Sequence, residues 1–231
     1  MSESETKSHR PIRSFVLRQG RMTEGQQRAF DELWPRYGIE PPERLVHPSQ
    51  LFGNPQPVIL EIGFGNGEAL SQMAHAQPDH NYLGVEVHSP GVGHLMIRLA
   101  EQESVNVRIL QTDAMELLRH HLEPGSLARV LLYFPDPWHK RKHHKRRIVQ
   151  QEFADLVHRT LIPGGVLHMA TDWEDYAQQM MKVLSAHPGF VNQAGAGKFS
   201  QRPVTRPLTK FEQRGARLGH GVWDLLFERK P

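Results

Sequence analysis

PVILEIGFGNGE, at residues 57–68, joins an apolar strand, a glycine-rich turn and the start of a helix without a break. Val58–Ile62 is apolar except for Glu61, and a short apolar run bounded by turn residues is typical of a strand buried in a sheet. Three glycines follow at alternate positions: Gly63, Gly65 and Gly67. Glycines in such a turn let the backbone approach a ligand where a Cβ atom would clash. We therefore predict a strand, a ligand-binding turn and a helix that runs to about Ala76.

The glycine spacing also indicates which kind of ligand binds. It is G-x-G-x-G, whereas dinucleotide sites carry G-x-G-x-x-G and bring a helix N-terminus to a pyrophosphate. Here Glu61 lies at the end of the strand, where its charge would repel a phosphate and attract a cation. We therefore expect a ligand that carries positive charge.

Strands and helices continue to alternate after this turn. The predicted elements are strands at Tyr82–Val87, Val105–Leu110, Val130–Phe134 and Gly165–Ala170, helices at Gly91–Glu101, Ala114–His120 and Ile148–Leu161, a helix opened by Thr171–Trp173 that runs to about Ala186, and a last strand at His220–Glu228. Such alternation is typical of a parallel sheet with helices on both faces, so we predict a three-layer α/β fold.

An acidic residue stands at or just after the end of each of the first four predicted strands, counted from Val58–Ile62. The four residues are Glu61, Glu86, Asp113 and Asp136. For one such residue, helix capping explains the choice equally well, and Asp113 is the clearest example. Because the carboxyl ends of parallel strands share one edge, however, the repetition predicts that the four side chains converge on one crevice.

VLLYFPDPWHKRKHHKRR, at residues 130–147, runs from a strand through a stiff acidic turn into a basic loop. Pro135 and Pro137 fix their own φ angles, and Pro137 also restricts Asp136, so the turn should hold this carboxylate rigidly. The following residues, 138–147, contain six Lys or Arg and three His and no acidic residue. A solvated surface run is one interpretation, and a surface for a phosphate backbone is the other.

Composition limits the remaining possibilities. The chain has 231 residues, a net charge of +3, 38% hydrophobic residues and no cysteine. It is long enough for one α/β domain, and cysteine nucleophiles, thiolate metal sites and disulfides are excluded. No apolar run approaches the length of a membrane span, and no apolar signal segment opens the chain. We expect a cytoplasmic protein that is not bound to a membrane.

The N-terminal region differs from the rest. Residues 1–30 are polar and rich in arginine, and we predict a mobile basic arm that either has no partner or reaches over a nucleic acid. A short helix at Ala29–Tyr37 and a proline-rich lead-in follow. The predicted division places the arm and lead-in at 1–50 and the α/β domain at 51–231.

A crevice with a glycine turn and several carboxylates suits a cofactor that has a ribose, an adenine and a positive charge. S-adenosylmethionine is such a molecule. Its sulfonium would lie favourably near Glu61 and Asp136, while Glu86 and Asp113 would accept hydrogen bonds from the ribose and the adenine amino group.

Five segments carry a close resemblance to one family: LEIGFGNGE at 60–68, GVEVH at 84–88, FPDPWHKRKHHKRR at 134–147, ATDW at 170–173 and RPLTKFEQRG at 206–215. The chain resembles the bacterial tRNA (guanine-N(7)-)-methyltransferases, which are class I methyltransferases, from residue 55 to its end. The resemblance implies a Rossmann-like fold with a mostly parallel seven-stranded sheet and an antiparallel C-terminal strand. It implies methyl transfer from S-adenosylmethionine to N7 of a guanine in the variable loop of tRNA.

The resemblance also implies residue roles. Asp136 would be catalytic, and the cofactor would contact Glu61, Gly63, Gly65, Gly67, Glu86, Asp113 and Asp136. The substrate would contact Lys140, Asp172, Thr209, Lys210, Phe211 and Glu212. The tRNA backbone would contact Lys142, His143, His144, Lys145, Arg146 and Arg147. We expect a monomer rather than a homodimer.

Several alternatives remain open from the residues themselves. Asp172 could cap the helix that follows it, and Trp138 could stack on a base or pack beneath the loop. We expect no metal, because the cations around His139, His143 and His144 oppose a divalent ion. The rival functions are a nucleotide-dependent oxidoreductase, a non-catalytic RNA-binding module and a methyltransferase acting on an exocyclic amine.

Overall fold

The central element is a sheet whose strands alternate with helices along the chain. The computed structural model describes residues 13–16, 20–209, 212–213 and 221–231. In chain order the elements are α1 (Glu24–Tyr37), β1 (Gly38–Ile39), β2 (Val58–Ile62), α2 (Glu68–Ala76), β3 (Asn81–Val85), α3 (Ser89–Glu101), β4 (Val107–Leu110), α4 (Ala114–His120), β5 (Leu127–Tyr133), α5 (Gln151–Thr160), β6 (Leu161–Thr171), α6 (Glu174–Ala186), β7 (Phe190–Asn192) and β8 (Trp223–Arg229). Short 3₁₀ helices lie at Pro48–Leu51 and Arg141–Arg146.

Within the described residues the strands form one sheet in the order β1-β4-β3-β2-β5-β6-β8-β7. Neighbouring strands are parallel except at β8, which is antiparallel to both β6 and β7. The predicted α/β fold with an antiparallel C-terminal strand is confirmed. The described sheet has eight strands instead of seven, because the two residues of β1 add to β4, and so short a strand has no sequence pattern of its own.

Two buried apolar clusters lie on opposite faces of the sheet. Side chains of α4, α5 and α6 pack on one face with Leu60 and Ile62 of β2. Side chains of α1, α2 and α3 pack on the other face with Ile59. Because successive side chains of a strand alternate between faces, Glu61 shares the face of Ile59.

The N-terminal helix is longer than predicted, and it includes residues 24–30, so the prediction of a mobile arm is wrong for these residues. Helix α1 begins at Glu24, because Thr23 and Gln26 form a capping box in which each side chain accepts a hydrogen bond from the other residue's backbone N–H. The Thr-x-x-Gln spacing was the signal that could have revealed this start. Gln26 also donates to the carbonyl of Pro90 at 3.1 Å, which fastens α1 to α3. The division of the chain at residue 50 stays a prediction.

The start of helix α6 decides whether Asp172 caps it, which the sequence left open. Its N-cap residue is Trp173, and Thr171 Oγ1 accepts a hydrogen bond from the Trp173 N–H at 3.2 Å. Capping by Asp172 is therefore wrong. No helix within the described part of the chain has both the length and the apolar character that crossing a membrane requires.

Candidate active site

A cleft of about 220 Å³ lies at the carboxyl ends of β2, β3 and β5. The parallel register places Ile62 opposite both Val85 and Leu132, so these strands end at the same level. Four of the predicted cofactor contacts line the cleft together: Gly63, Glu86, Asp113 and Asp136. The sheet thus brings together residues that are up to 73 positions apart, from 63 to 136, and three of the four acids predicted to converge are among them: Glu86, Asp113 and Asp136.

The glycine turn between β2 and α2 has a backbone that other residues rarely adopt. Gly63, Gly65 and Gly67 have φ angles of +68°, +57° and +73°. A Cβ on Gly67 would also lie 2.6 Å from the side chain of Leu95. Gly91 on α3 is a further requirement that sequence reasoning missed, since its Cβ would lie 2.1 Å from the carbonyl oxygen of Gly65. The turn is therefore held against α3 by close backbone contact.

Glu86 forms one wall of the cleft and is fixed by backbone groups. Its Oε2 accepts a hydrogen bond from the Gly65 N–H at 3.0 Å. Its Oε1 accepts from the N–H groups of Val87 and His88 at 2.7 and 3.0 Å. Charge-assisted bonds of this kind hold a carboxylate in one orientation. Oε2 accepts only one hydrogen bond and retains acceptor capacity, so the side chain can still bind a hydroxyl group.

Asp113 caps a helix and lines the cleft at the same time. It is the N-cap residue of α4, and its Oδ1 accepts a hydrogen bond from the Met115 N–H at 2.9 Å. The capping interpretation is therefore confirmed, and it does not exclude a ligand contact, because the residue also lines the cleft.

Glu61 lies on β2, two residues before Gly63, and is absent from the lining of the cleft, so the prediction that it converges there with the other three acids is wrong. It is 3% exposed, and its Oε2 has no hydrogen-bond partner among the described residues. Burial, and then the charge of Glu86, raise the pKa of Glu61 to about 8. A buried carboxylate with an orphan oxygen would gain from a cationic group placed beside it. This observation fits a cofactor with a positive charge.

Asp136 occupies a turn with an unusual backbone. Phe134 and Trp138, on either side of the Pro135–Pro137 segment, have φ angles of +50° and +49°. Positive φ at bulky side chains is rare and strained, and such strain is concentrated at functional sites. Asp136 itself is exposed.

Behind this turn, Arg147 holds it in place. The guanidinium of Arg147 donates to the carbonyl of Pro137 at 2.8 Å, to Gln179 Oε1 at 2.7 Å and to Asp175 Oδ2 at 2.6 Å. The ring of Tyr176 lies below it, 4.7 Å from the guanidinium carbon. Only 1% of the Arg147 side chain is exposed. The prediction that Arg147 contacts the tRNA backbone is therefore wrong, because its donors are engaged inside the protein.

A second pocket adjoins the cleft on the other side of Asp136. Its lining consists of Val16, Asp136, Pro137, Trp138, His139, Lys140 and His143. Lys140 is exposed there and is the N-cap residue of the 3₁₀ helix Arg141–Arg146. Asp136 thus lies on the border between an acidic cleft and a basic pocket.

The remaining residues of the basic loop differ in exposure. Lys142 and Lys145 are exposed, and His143 and His144 are half-buried. Desolvation, and then the surrounding cations, lower the pKa of His143. Of the residues predicted to contact the tRNA backbone, the two lysines are therefore the most accessible to a polyanion.

Trp138 packs under the loop instead of presenting a free face. Its Nε1 donates to the carbonyl of Ser14 at 3.1 Å, and the guanidinium of Arg146 lies 3.9 Å from the ring centroid. Arg146 in turn donates to the carbonyls of Arg13 and Phe15 at 3.1 and 2.8 Å. Packing is therefore the correct interpretation of Trp138, and residues 13–16 lie against the site, which sequence reasoning did not foresee.

The other predicted substrate contacts differ in their exposure and in their hydrogen-bond partners. Asp172 is half-buried and directly follows β6, next to the strand end that carries the Asp136 turn. Thr209 Oγ1 accepts a hydrogen bond from the Glu212 N–H at 3.3 Å. Glu212 is 6% exposed, and both its carboxylate oxygens bind Arg206, at 2.6 and 2.9 Å. Lys210 and Phe211 lie outside the described residues.

Comparison with known proteins agrees with this geometry. A family model described as "Putative methyltransferase" matches residues 55–225. The chain is 57% identical over 221 residues to the tRNA (guanine-N(7)-)-methyltransferase of Alcanivorax borkumensis, and the match covers 96% of this chain and 92% of that protein. It is 56% identical over 220 residues to the protein of the same name from Hydrogenovibrio crunogenus, covering 95% of this chain and 92% of that protein.

Solved structures of the same fold are more distant in sequence. The 16S rRNA methyltransferase KamB matches with a TM-score of 0.59 at 14% identity, covering 81% of this chain and 99% of that one. TrmN from Thermus thermophilus matches with a TM-score of 0.53 at 17% identity, covering 78% of this chain and 46% of that one. At these identities the likeness concerns the fold alone, and the fold is one that methyltransferases use.

Proposed function

The chain belongs to the tRNA (guanine-N(7)-)-methyltransferase family, and on this premise we propose that it transfers a methyl group from S-adenosylmethionine to N7 of a guanine in the variable loop of tRNA. The observation that carries the proposal is the position of Asp136. Its carboxylate lies on a rigid turn where the acidic cleft meets the basic pocket. A group at that border can act on a methyl donor on one side and on an RNA base on the other.

The acidic cleft suits S-adenosylmethionine. Glu86 is oriented by three backbone N–H groups and can accept hydrogen bonds from ribose hydroxyls. Asp113 can accept from the adenine amino group. Gly63 and Gly65 leave space beside the backbone, since a Cβ on either would meet nothing within 4 Å. Glu61, with its orphan oxygen, would face the positive charge of the donor.

Asp136 would stabilise charge instead of removing a proton. When bound, S-adenosylmethionine supplies an electrophilic methyl group on a sulfonium. Guanine N7 has a lone pair and no proton, so attack on the methyl needs no general base. Positive charge then develops in the guanine ring, and a fixed carboxylate beside the ring lowers the energy of that charge where it appears. The two prolines and Arg147 keep Asp136 in place, so little reorganisation is needed during the reaction.

The basic pocket and its surroundings would hold the tRNA. Lys140 lies in the same pocket as Asp136, and Asp172 follows the adjacent strand end, where it could accept hydrogen bonds from the guanine edge. Lys142 and Lys145 would bind phosphates, with His143 and His144 beside them. Arg146 would contribute less, because two of its nitrogens already bind residues 13 and 15.

We also propose a monomeric, metal-independent enzyme of the cytoplasm. The high identity to tRNA-modifying relatives over nearly the whole chain supports the compartment. The monomeric state and the absence of a metal stay predictions.

The test is methyl transfer to tRNA transcribed in vitro, followed by mass spectrometry of the digested nucleosides. We expect 7-methylguanosine in the variable loop. Methylation of an exocyclic amine would refute the N7 assignment, and no methylation of any tRNA would leave an RNA-binding module as the better interpretation. Failure to bind S-adenosylhomocysteine together with binding of a dinucleotide would favour the oxidoreductase.

Asp136→Asn tests the residue that carries the proposal. Loss of one preorganised charge contact should lower kcat by about 10²–10³. Affinity for S-adenosylhomocysteine should change much less. Asp79→Asn is a matched control, because Asp79 is an exposed aspartate that precedes β3. It therefore lies at the end of β3 that is remote from the cleft. A fully active Asp136→Asn enzyme would contradict the role in charge stabilisation.

A further inference from the structure

One buried arginine anchors a segment that otherwise has little to hold it. Arg206 belongs to the segment that connects β7 to β8 along the chain, and it is 1% exposed. Around it, Val204 is 99% exposed and Leu208 is 44% exposed, so apolar packing contributes little to this segment. Among the described residues 203–209, Arg206 is the only one that is buried, and Pro203, Pro207 and Thr209 are half-buried.

The guanidinium of Arg206 binds two carboxylates at once. It donates to both oxygens of Glu212 at 2.6 and 2.9 Å. It also donates to both oxygens of Asp224 on β8 at 2.8 Å each. Its three nitrogens are thus all engaged, and the two-sided fork is a geometry that lysine cannot reproduce.

The hydrogen bonds continue across the sheet to the end of β5, just before the turn that carries Asp136. Asp224 Oδ1 also binds His168 Nε2 of β6 at 2.7 Å. The other ring nitrogen of His168 lies 3.0 Å from the hydroxyl of Tyr133, the last residue of β5. Tyr133 precedes Asp136 by three residues. The chain Tyr133–His168–Asp224–Arg206–Glu212 therefore connects the turn that carries Asp136 with the segment that contains Thr209.

Protonation states along the chain agree with these partners. Burial lowers the pKa of His168 in spite of the neighbouring Asp224, so the ring is neutral at pH 7. Burial opposes ionisation of Asp224, but hydrogen bonds from His168 and Arg206 hold its pKa below the usual range. Nε2–H of His168 then donates to Asp224, and Nδ1 accepts from the Tyr133 hydroxyl. Each member has a partner, which is the condition under which a buried polar chain specifies one arrangement.

This pairing changes the interpretation of Glu212. Both oxygens of Glu212 are directed to a buried guanidinium, and the residue is only 6% exposed, so little of the carboxylate is accessible to a guanine edge. We propose that Arg206 is a positioning residue that holds Thr209 and Glu212 on the tRNA side of the site, with Glu212 as its counter-ion instead of a ligand of the guanine. The inference rests on the proposed function, since it assigns this segment to the substrate side.

A double-mutant cycle tests the assignment. Arg206→Met and Glu212→Gln should each raise KM for tRNA by about tenfold or more, while the Kd of S-adenosylhomocysteine stays within about twofold. If the two residues act only through each other, KM for tRNA in the double variant should be no higher than in the more impaired of the two single variants. An additional loss of about tenfold from Glu212→Gln in the Arg206→Met background would show that Glu212 contacts the substrate itself, and would overturn the proposal.

The matched control is Arg202→Met. Arg202 lies in the same segment, is exposed, and donates only to the carbonyl of Arg206, at 2.8 Å, among the described residues. It should leave KM for tRNA within about twofold. An equal effect of Arg202→Met and Arg206→Met would show a general sensitivity of the segment, and would refute the anchoring role.

Hydrogen–deuterium exchange provides a measurement that does not depend on activity. In Glu212→Gln, which removes one charge and keeps the shape, residues 203–209 should exchange about tenfold faster, while β2 and the glycine turn remain as in the wild type. Unchanged exchange at 203–209 would overturn the proposal even if Arg206→Met fails to fold. A wild-type protein that does not methylate tRNA would refute the proposed function, and the exchange result would still decide whether Arg206 is the anchor.

Discussion

Glu61→Gln should remove the loss of stability that ionisation of Glu61 causes in the ligand-free protein as the pH rises. Glu61 is 3% exposed, and burial together with the charge of Glu86 raises its pKa from 4.5 to about 8. The folded state therefore keeps a proton that the unfolded chain releases. Stability due to this group is fully present below pH 4.5 and is lost as the pH rises toward 8.

The magnitude follows from the size of this shift. Each pH unit between the two pKa values lowers the free energy of unfolding by about 1.4 kcal/mol. At pH 7 the accumulated loss is about 3 kcal/mol. Because the side chain is almost fully buried, screening by solvent reduces this figure little.

The assay is urea unfolding of wild type and Glu61→Gln at pH 5, 6, 7 and 8. Glutamine has nearly the same shape and does not ionise, so the variant should gain stability over the wild type by about 1.4 kcal/mol for each pH unit. Any constant cost of burying the amide cancels in this slope. Glu101→Gln, at the exposed end of α3, controls for the loss of one negative charge.

Two parallel pH profiles for wild type and Glu61→Gln would refute the reasoning, since they would mean that Glu61 titrates alike in both states. Saturating S-adenosylmethionine adds a second check. A positive charge close to Glu61 lowers its pKa, so the cofactor should stabilise the wild type more at pH 8 than at pH 6. The same stabilisation at both pH values would argue against a cofactor charge beside this carboxylate.

Three further outcomes follow from the site. Arg147→Ala should lower the free energy of unfolding by about 1–3 kcal/mol, because the buried guanidinium loses its hydrogen bonds to Pro137, Gln179 and Asp175 and its packing on Tyr176, and a normal melting temperature would contradict its structural role. Replacing both Lys142 and Lys145 by alanine should reduce the slope of log K against log salt for tRNA binding by about 2, and a wild-type slope in filter-binding measurements would show that neither lysine meets a phosphate. Gly91→Ala should destabilise the protein by about 1–3 kcal/mol and weaken S-adenosylhomocysteine binding, because the new Cβ would press on the carbonyl of Gly65; calorimetry that finds both unchanged would contradict the close contact.

Local pattern was enough for the order of elements and for the cleft. The strand Val58–Ile62 and the helix Ala114–His120 have the predicted bounds, because apolar periodicity and turn residues are properties of neighbouring positions. Acids at strand ends could be brought together on paper, because the carboxyl ends of parallel strands must share an edge. Glu86, Asp113 and Asp136 do line one cleft, whereas the fourth predicted acid, Glu61, does not.

Local pattern could not separate residues that look alike in the sequence. Lys142 and Arg147 belong to the same basic run, yet one is exposed and the other is buried against Asp175 and Gln179 of α6. Nothing within the run records that contact, since α6 lies about thirty residues further along the chain. The same applies to Trp138, whose partner Ser14 lies 124 positions away.

The sequence by itself determined the order of strands and helices, the edge at which the acids meet and the family to which the chain belongs, because each of these is written in short contiguous motifs. Only the tertiary structure decided which charged groups remain free for a ligand. Glu212 and Arg206 pair with each other, Arg147 supports the Asp136 turn, and Glu61 is buried on β2 with an orphan oxygen. The physical reason is that burial and pairing depend on which distant segments pack together, whereas a motif records only what stands next to it.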